Sequence, residues 1–314
     1  MKNICHRAVM SLIVVFLSAV GAADSAPDLC RVLFQFGHGT EIFGMTSEGL
    51  VGDVAKDARK QGQWWNIDKG TLVLGQGDRP ASVFGFIKGF KKEIKYAVFA
   101  GGATTTIVGI KVGCIFGFYT QSDGGGILGF RSCPSGDFAY GYGYNATLIT
   151  GMADDGLLVG FHDNPHLQYS GFIVSPAGKE HDFVVPGTDG TKILGLASGR
   201  RIVGTFLKGG RWHGFVANLD GSHLVIVNAR IKGKQAHDTG VVASQAECML
   251  GYFDVNQNGQ SGFVRCKGKT DIPFTFNPTF FMHPRALLED ATVVGDFDGT
   301  GPTEGFLLPK FVKQ

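Results

Sequence analysis

Charge is scarce in this 314-residue chain, where Asp, Glu, Lys and Arg together make up 18% of the residues. Neither sign dominates. Setting Lys2 and Arg7 aside leaves 27 basic residues against 27 acidic ones, which is no electrostatic footprint for nucleic acid or an anionic membrane. Beyond Val20 no apolar run approaches the roughly 18 residues a membrane helix needs. The chain also lacks a GlyXSerXGly elbow, a HisGluXXHis pair and a phosphate-cradling GlyXXXXGlyLysSer/Thr loop, which removes three ready-made catalytic frameworks. Tryptophan occurs only 3 times. Glycine, in contrast, occurs 48 times. Abundant glycine with few charges suits tightly turned strands better than helices.

The first residues read as an export signal. Lys2, His6 and Arg7 precede an apolar run from Ala8 to Val20, and small residues at Ala22, Ala23 and Ala26 offer cleavage points. The expected organisation is a signal peptide over 1–26 and one domain over 27–314, placing the mature chain outside the cell or in the periplasm. Five cysteines then remain: Cys30, Cys114, Cys133, Cys248 and Cys266. Cys114 and Cys133 lie about equally far from Asp123 and Gly124, and Cys248 and Cys266 flank Gln257 symmetrically. Residues placed symmetrically about a hairpin turn face each other closely enough for a bridge. The spacing therefore predicts Cys114–Cys133 and Cys248–Cys266 as cross-strand disulfides, each stabilising by about 3 kcal/mol. Two zinc-type cysteine pairs are the weaker alternative, since export favours oxidation. Cys30 is left as a buried thiol.

One phrase recurs along the chain: a glycine closing an apolar strand, then a second glycine followed by phenylalanine. It occurs at Gly75/Gly85, Gly117/Gly129, Gly160/Gly171, Gly204/Gly214, Gly251/Gly262 and Gly295/Gly305. Successive first glycines stand 42, 43, 44, 47 and 44 residues apart, and a period near 43 marks a repeat architecture. Taking 187–229 as the clearest unit, four short strands alternate with Gly/Asp/Asn turns, the signature of consecutive antiparallel hairpins. The two positions before each first glycine are apolar, as in Leu158/Val159 and Ile202/Val203. Adjacent strand residues point to opposite faces, so both faces of each small sheet must be buried. Sheets stacked between two neighbours satisfy that demand, and the expectation is an all-β propeller.

The ends support closure. The last unit stops after Gly305-Phe306 without a fourth strand, while residues 30–36 read as a strand preceding a new unit. That segment is expected to complete the final unit and remove its free edge. A short unit over 40–65 brings the count to seven blades with one irregular; six blades with an extra hairpin is the close alternative. A parallel β-helix is disfavoured by the turn-forming stretch between Gly251 and Gly262.

These phrases resemble the HAF family of extracellular repeats. The matching stretches are Gly151 to Gly160, Gly195 to Gly204 and Trp212 to Phe215, and the resemblance spans about 40–310. It implies fold and export, and carries no catalytic residue. The asparagine usual in that pattern is replaced here by Lys111, Ala153 and Ala197.

Three local candidates carry chemistry. Asp296, Asp298, Thr300 and Glu304 resemble a calcium loop of the kind seen between propeller strands, because calcium takes six to eight oxygen ligands; the competing reading is a plain hairpin turn. Trp64/Trp65 and Trp212/His213 fall at matching repeat positions, and one of each pair is expected to point outward, where it could serve sugar stacking or a protein partner; the favoured reading for these residues is blade core. Asn145 opens a glycosylation sequon with Thr147. His162, Asp163 and His166 read as a solvated loop, and Glu180 to Asp182 as a lone charged stretch. The combined expectation is an exported, monomeric, non-catalytic binding module for a glycan or extracellular protein. A hydrolase or lyase using acids or histidines at a central channel is the rival, and a structural envelope component the third reading.

Overall fold

Glycine-punctuated apolar stretches become strands throughout. The computed structural model describes backbone strands between 32 and 99, with side chains there only for 41–44 and 50–53. It describes residues 102–308, with backbone only at 102 and 103 and with 122–123, 142–144, 199, 232, 255–258, 277–279 and 299–302 left out. Residues 1–31, which include the expected signal segment and Cys30, and Thr300 lie outside the described residues. Every regular element among the described residues is a strand or bridge, so the described fold is all-β.

The strand β1 (Val32–Phe34) comes first. Unit 1 follows with β2 (Thr40–Thr46), β3 (Gly49–Ala55), β4 (Gln63–Asp68), β5 (Thr71–Gly75), β6 (Val83–Gly89) and β7 (Ile94–Phe99). Unit 2 comprises β8 (Gly102–Lys111), β9 (Cys114–Gln121), β10 (Ile127–Cys133) and β11 (Gly136–Tyr140). Unit 3 holds β12 (Thr147–Met152), β13 (Leu158–Asp163), β14 (Tyr169–Val174) and β15 (Glu180–Phe183). Unit 4 holds β16 (Gly190–Ala197), β17 (Arg201–Lys208), β18 (Arg211–Asn218) and β19 (Val225–Val227). A two-stranded link, β20 (Arg230–Ile231) and β21 (Lys234–Gln235), leads to unit 5: β22 (Asp238–Gln245), β23 (Cys248–Asp254), β24 (Gln260–Cys266) and β25 (Ile272–Phe274). Unit 6 is β26 (Phe281–Leu287), β27 (Val293–Asp298) and β28 (Glu304–Leu308).

Within each unit the strands pair antiparallel in sequence order. Unit 6 takes its fourth strand from the other end of the chain: β1 pairs β28, with Val32 opposite Leu307 and Phe34 opposite Gly305. The head-to-tail pairing read from the sequence is therefore present. Unit 1 departs from expectation. Gly75 is not its first glycine; β5 pairs only β4, with Gly75 opposite Trp64. The third strand is β6, which pairs β3 with Gly52 opposite Phe86. The same glycine-opposite-phenylalanine pair recurs as Gly117/Phe130, Gly160/Phe172, Gly204/Phe215, Gly251/Phe263 and Gly295/Phe306. The β4–β5 hairpin is an insertion that lies alongside β7 in parallel.

Burial follows the adjacent apolar pairs. Leu158 joins a core with Phe116 of unit 2 and Ile149, whereas its neighbour Val159 joins Ile193, Ile202 and Phe215 of unit 4. Ile202 and Val203 likewise divide between the cores shared with unit 3 and unit 5. Each fully buried side chain of this size contributes roughly 1.5–3 kcal/mol. The cores thus lie between units, not within them. β2 packs against β26, β27 and β28, so the first unit is also the neighbour of the last.

A β-bulge interrupts the first strand of every unit. The register shifts fall between Ile42/Gly44, Ile107/Gly109, Ile149/Gly151, Ile193/Gly195, Val241/Ala243 and Pro284/Ala286. The bulge and the motif glycine explain each other. A Cβ on Gly160 would lie 2.0 Å from the Leu148 carbonyl and 2.7 Å from the Phe172 ring; on Gly204 it would lie 2.0 Å from the Lys192 carbonyl and 2.8 Å from Phe215. Only a hydrogen leaves room for both the kinked inner strand and the ring that covers it.

Candidate functional site

Bulges re-aim side chains. The six extra residues are Phe43, Val108, Thr150, Leu194, Val242 and Arg285, and all six line one shared cavity of about 260 Å³. A wider cleft of about 500 Å³ adjoins it and shares Lys111, Met152, Leu196 and Gln245 with it. The cleft is built from hairpin turns of successive units. Its polar rim is an alternation of charges across unit boundaries: Lys111 meets Asp154 at 3.1 Å, and Arg200 meets Asp155 at 2.8 Å. Met152, Leu157, Leu196 and Leu219 supply its apolar lining. Among the described residues, five turns carry a non-glycine residue at positive φ: Val112 (50°), Arg200 (57°), His223 (53°), Ala246 (52°) and Ala291 (63°). A β-branched residue such as Val112 in this region costs about 1–3 kcal/mol.

Arg285 organises the second feature, a polar cluster where unit 6 meets unit 1. Its Nε donates to Asp296 Oδ1 at 2.9 Å, and its Nη2 lies 3.6 Å from Glu41. The guanidinium also sits 4.3 Å from the Phe43 ring centroid. His283 Nδ1 lies 2.8 Å from Asp296 Oδ2. The Thr106 hydroxyl donates to Asp53 Oδ2 at 2.6 Å. Asp53 and Asp296 hold the same place in their units, one residue after the motif glycine, and Glu41 faces Asp53 across the strand pair. Burial, reinforced by Glu41, pushes the Asp53 carboxyl up to about 8. Burial and then Asp296 raise Glu41 as well.

Lys192, at the inner strand of unit 4, forms the third feature. Its ammonium lies 3.7 Å from the Tyr169 ring, 4.9 Å from Trp212 and 5.3 Å from Phe161. Burial draws it down to about 8, while the three ring faces favour the charged form.

The residues singled out from sequence distribute unevenly. Cys114–Cys133 and Cys248–Cys266 are disulfides, with Cα atoms 4.2 and 4.0 Å apart. Asp296, Asp298 and Glu304 do not gather as a ligand set among the described residues. Strand β27 runs through Asp298, the buried Asp296 carboxylate is committed to Arg285 and His283, and Asp298 accepts from Thr303 at 2.6 Å. The matching of Trp64/Trp65 with Trp212/His213 is corrected: the first pair lies on the inserted β4 and the second on the third strand of unit 4. Trp64 and Trp65 side chains lie outside the described residues. Trp212 covers Lys192, and His213 Nδ1 lies 2.9 Å from Asn228 Oδ1. Asn145 is exposed. His162 is not on a solvated loop but buried in β13. The seam cluster and the Lys192 cradle were missed by local reading. A usable signal was Asp standing twice, at 53 and 296, where other units carry Phe118, Phe161, Thr205 and Tyr252.

No protein-family model and no curated protein matches this chain. Among solved structures, a prolyl endopeptidase is similar at 14% identity and TM-score 0.44, over 75% of this chain and 39% of that one. Aleuria aurantia lectin is similar at 11% identity and TM-score 0.43, over 79% of this chain and 94% of that one. A mutant of AofleA from Arthrobotrys oligospora shares 9% identity at TM-score 0.40, over 82% of this chain and 90% of that one. The chain spans 39% of the prolyl endopeptidase's length. All three scores lie below 0.5, so the architecture rests on the strand pairing given above.

Proposed function

We propose that this chain is an exported β-propeller of six blades, closed by β1 on β28, that binds a glycan without catalysis at the 500 Å³ cleft. Six bulged residues around one cavity and the packing of β2 on unit 6 support the ring. The phrases at Gly151 to Gly160 and Gly195 to Gly204 support membership of the HAF-type extracellular repeats. Two disulfides and the leading apolar segment support an oxidising compartment.

One observation carries the binding reading: each acid on the cleft rim is paired with a base from the adjoining unit. Paired carboxylates and cations over an apolar lining offer hydrogen bonds and a stacking surface to hydroxyl-rich ligands. A glycan array with the mature chain should return a ligand class, and isothermal titration should show its affinity falling at least tenfold in Arg200→Ala. An unchanged affinity in Arg200→Ala moves the site elsewhere.

The catalytic alternative has its own observation, the raised carboxyls of Asp53 and Glu41 beside His283. Turnover in an activity panel that disappears in Glu41→Gln would favour it over binding.

A further inference from the structure

The motif that spaces the blades also brings three distant polar side chains together in unit 3. Because Gly160 has no side chain, the Phe172 ring folds over it, 2.7 Å from where a Cβ would stand. His162 then stacks on Phe172, centroids 5.6 Å apart and planes 9° from parallel. The imidazole is thereby held on the sheet face and pointed toward β15. There, Glu180 and Asp182 stand two residues apart, so both carboxylates share one face of the strand. His162 Nδ1 lies 4.0 Å from Glu180 Oε1, and Nε2 lies 3.5 Å from Asp182 Oδ1.

We propose that His162, Glu180 and Asp182 form a divalent-cation site, best matched to zinc, that fastens the outer strand of unit 3 to its second strand. One donor atom from each of the three lies within 4.8 Å of the others. Ligands around tetrahedral zinc stand roughly 3.3 Å apart, and one ion binds one ring nitrogen, so Glu180, which faces Nδ1, must swing toward the Nε2 side that Asp182 faces. The imidazole is fully buried and rigidly stacked, while Glu180 and Asp182 are 35% and 50% exposed. A cation can therefore enter from solvent and keep a water as its fourth ligand. Among the described residues no lysine or arginine pairs with either carboxylate. Two carboxylates and a neutral nitrogen balance a double positive charge. One imidazole with two carboxylates suits zinc and its transition-metal neighbours better than calcium, which prefers six to eight oxygens. Asp163 is not a ligand, because its Oδ1 already accepts the Ala146 amide at 3.1 Å.

The test uses the full mature chain after chelator treatment and dialysis. Zinc at a hundredfold its dissociation constant should raise the melting temperature by roughly 5 °C. Titration should give one zinc per chain, and cobalt should show a visible absorption band from a nitrogen–oxygen site. Glu180→Gln and Asp182→Asn replace exposed side chains and preserve the fold, so loss of the shift and the band in each would support the site. Absence of a zinc shift in the parent chain would overturn it. So would an undiminished shift in the Glu180→Gln, Asp182→Asn double variant, which would trace the binding to other histidines.

Discussion

At the residue scale, the largest effects come from groups whose burial conflicts with their charge. Asp53 is the clearest. Its carboxyl titrates near 8 in the fold, against 3.8 for an ordinary aspartate, because it is buried and faces Glu41. Between those values the folded chain holds a proton that the unfolded chain has released. Stability from this group is therefore fully present below pH 4 and declines as pH rises toward 8, by up to about 1.4 kcal/mol per pH unit. Asp53→Asn stays neutral throughout and should lack that decline. Urea denaturation of both proteins at pH 5, 6.5 and 8 checks it: the parent should lose ground to the variant as pH rises. Parallel profiles would mean that Asp53 is ionised in the fold. Only the Glu41 pairing lies within one hairpin; Thr106, Arg285 and Asp296 come near Asp53 only once units 1, 2 and 6 are neighbours.

At the scale of a strand, the glycine, the bulge and the phenylalanine act as one device. The kinked inner strand brings a carbonyl to within 2.0 Å of any Cβ on Gly204, and the Phe215 ring closes the other side at 2.8 Å. Gly204→Ala must displace backbone and should cost about 1–3 kcal/mol or more. Lys208 and Arg211 are joined by Gly209 and Gly210 at φ 59° and 75°, the tight two-residue turn that the sequence advertises. Gly210→Ala, in open space, should cost only the strain of its backbone angle, about 1–2 kcal/mol. Chemical denaturation of the two variants should rank Gly204→Ala as the more damaging. This much was readable from residues alone, because glycine spacing, turn chemistry and paired cysteines report contacts only 10 to 20 residues apart. The insertion in unit 1 was not. Gly75 imitates the motif glycine, and only the pairing of Gly52 with Phe86 exposes β4–β5 as an addition.

For the whole molecule, stability resides at the boundaries between units. Val51 shares a core with Ile107 and Phe130, and Phe274 shares one with Met282 and Phe306. The seam between units 6 and 1 is different in kind: β1 on β28 joins the chain ends by three backbone pairs, and Arg285 spans Asp296 and Glu41. Removing residues up to 36 should leave β28 as an open edge. The truncated chain should melt several degrees lower and self-associate in size-exclusion chromatography, whereas a monomer of unchanged melting temperature would show that closure adds nothing.

The linear order of residues was enough to determine most strands, their antiparallel succession, the two disulfides and the meeting of head with tail, though not that β4 and β5 are an insertion. Each follows from period, turn and symmetry over short separations, or from a missing strand at one end and a spare one at the other. Tertiary structure alone decided which side chains share a site. Asp53 with Asp296, Lys192 beneath Trp212, and His162 beside Glu180 and Asp182 depend on how bulged, twisted sheets stack. Stacking is set by packed volume between neighbours, which no local pattern encodes.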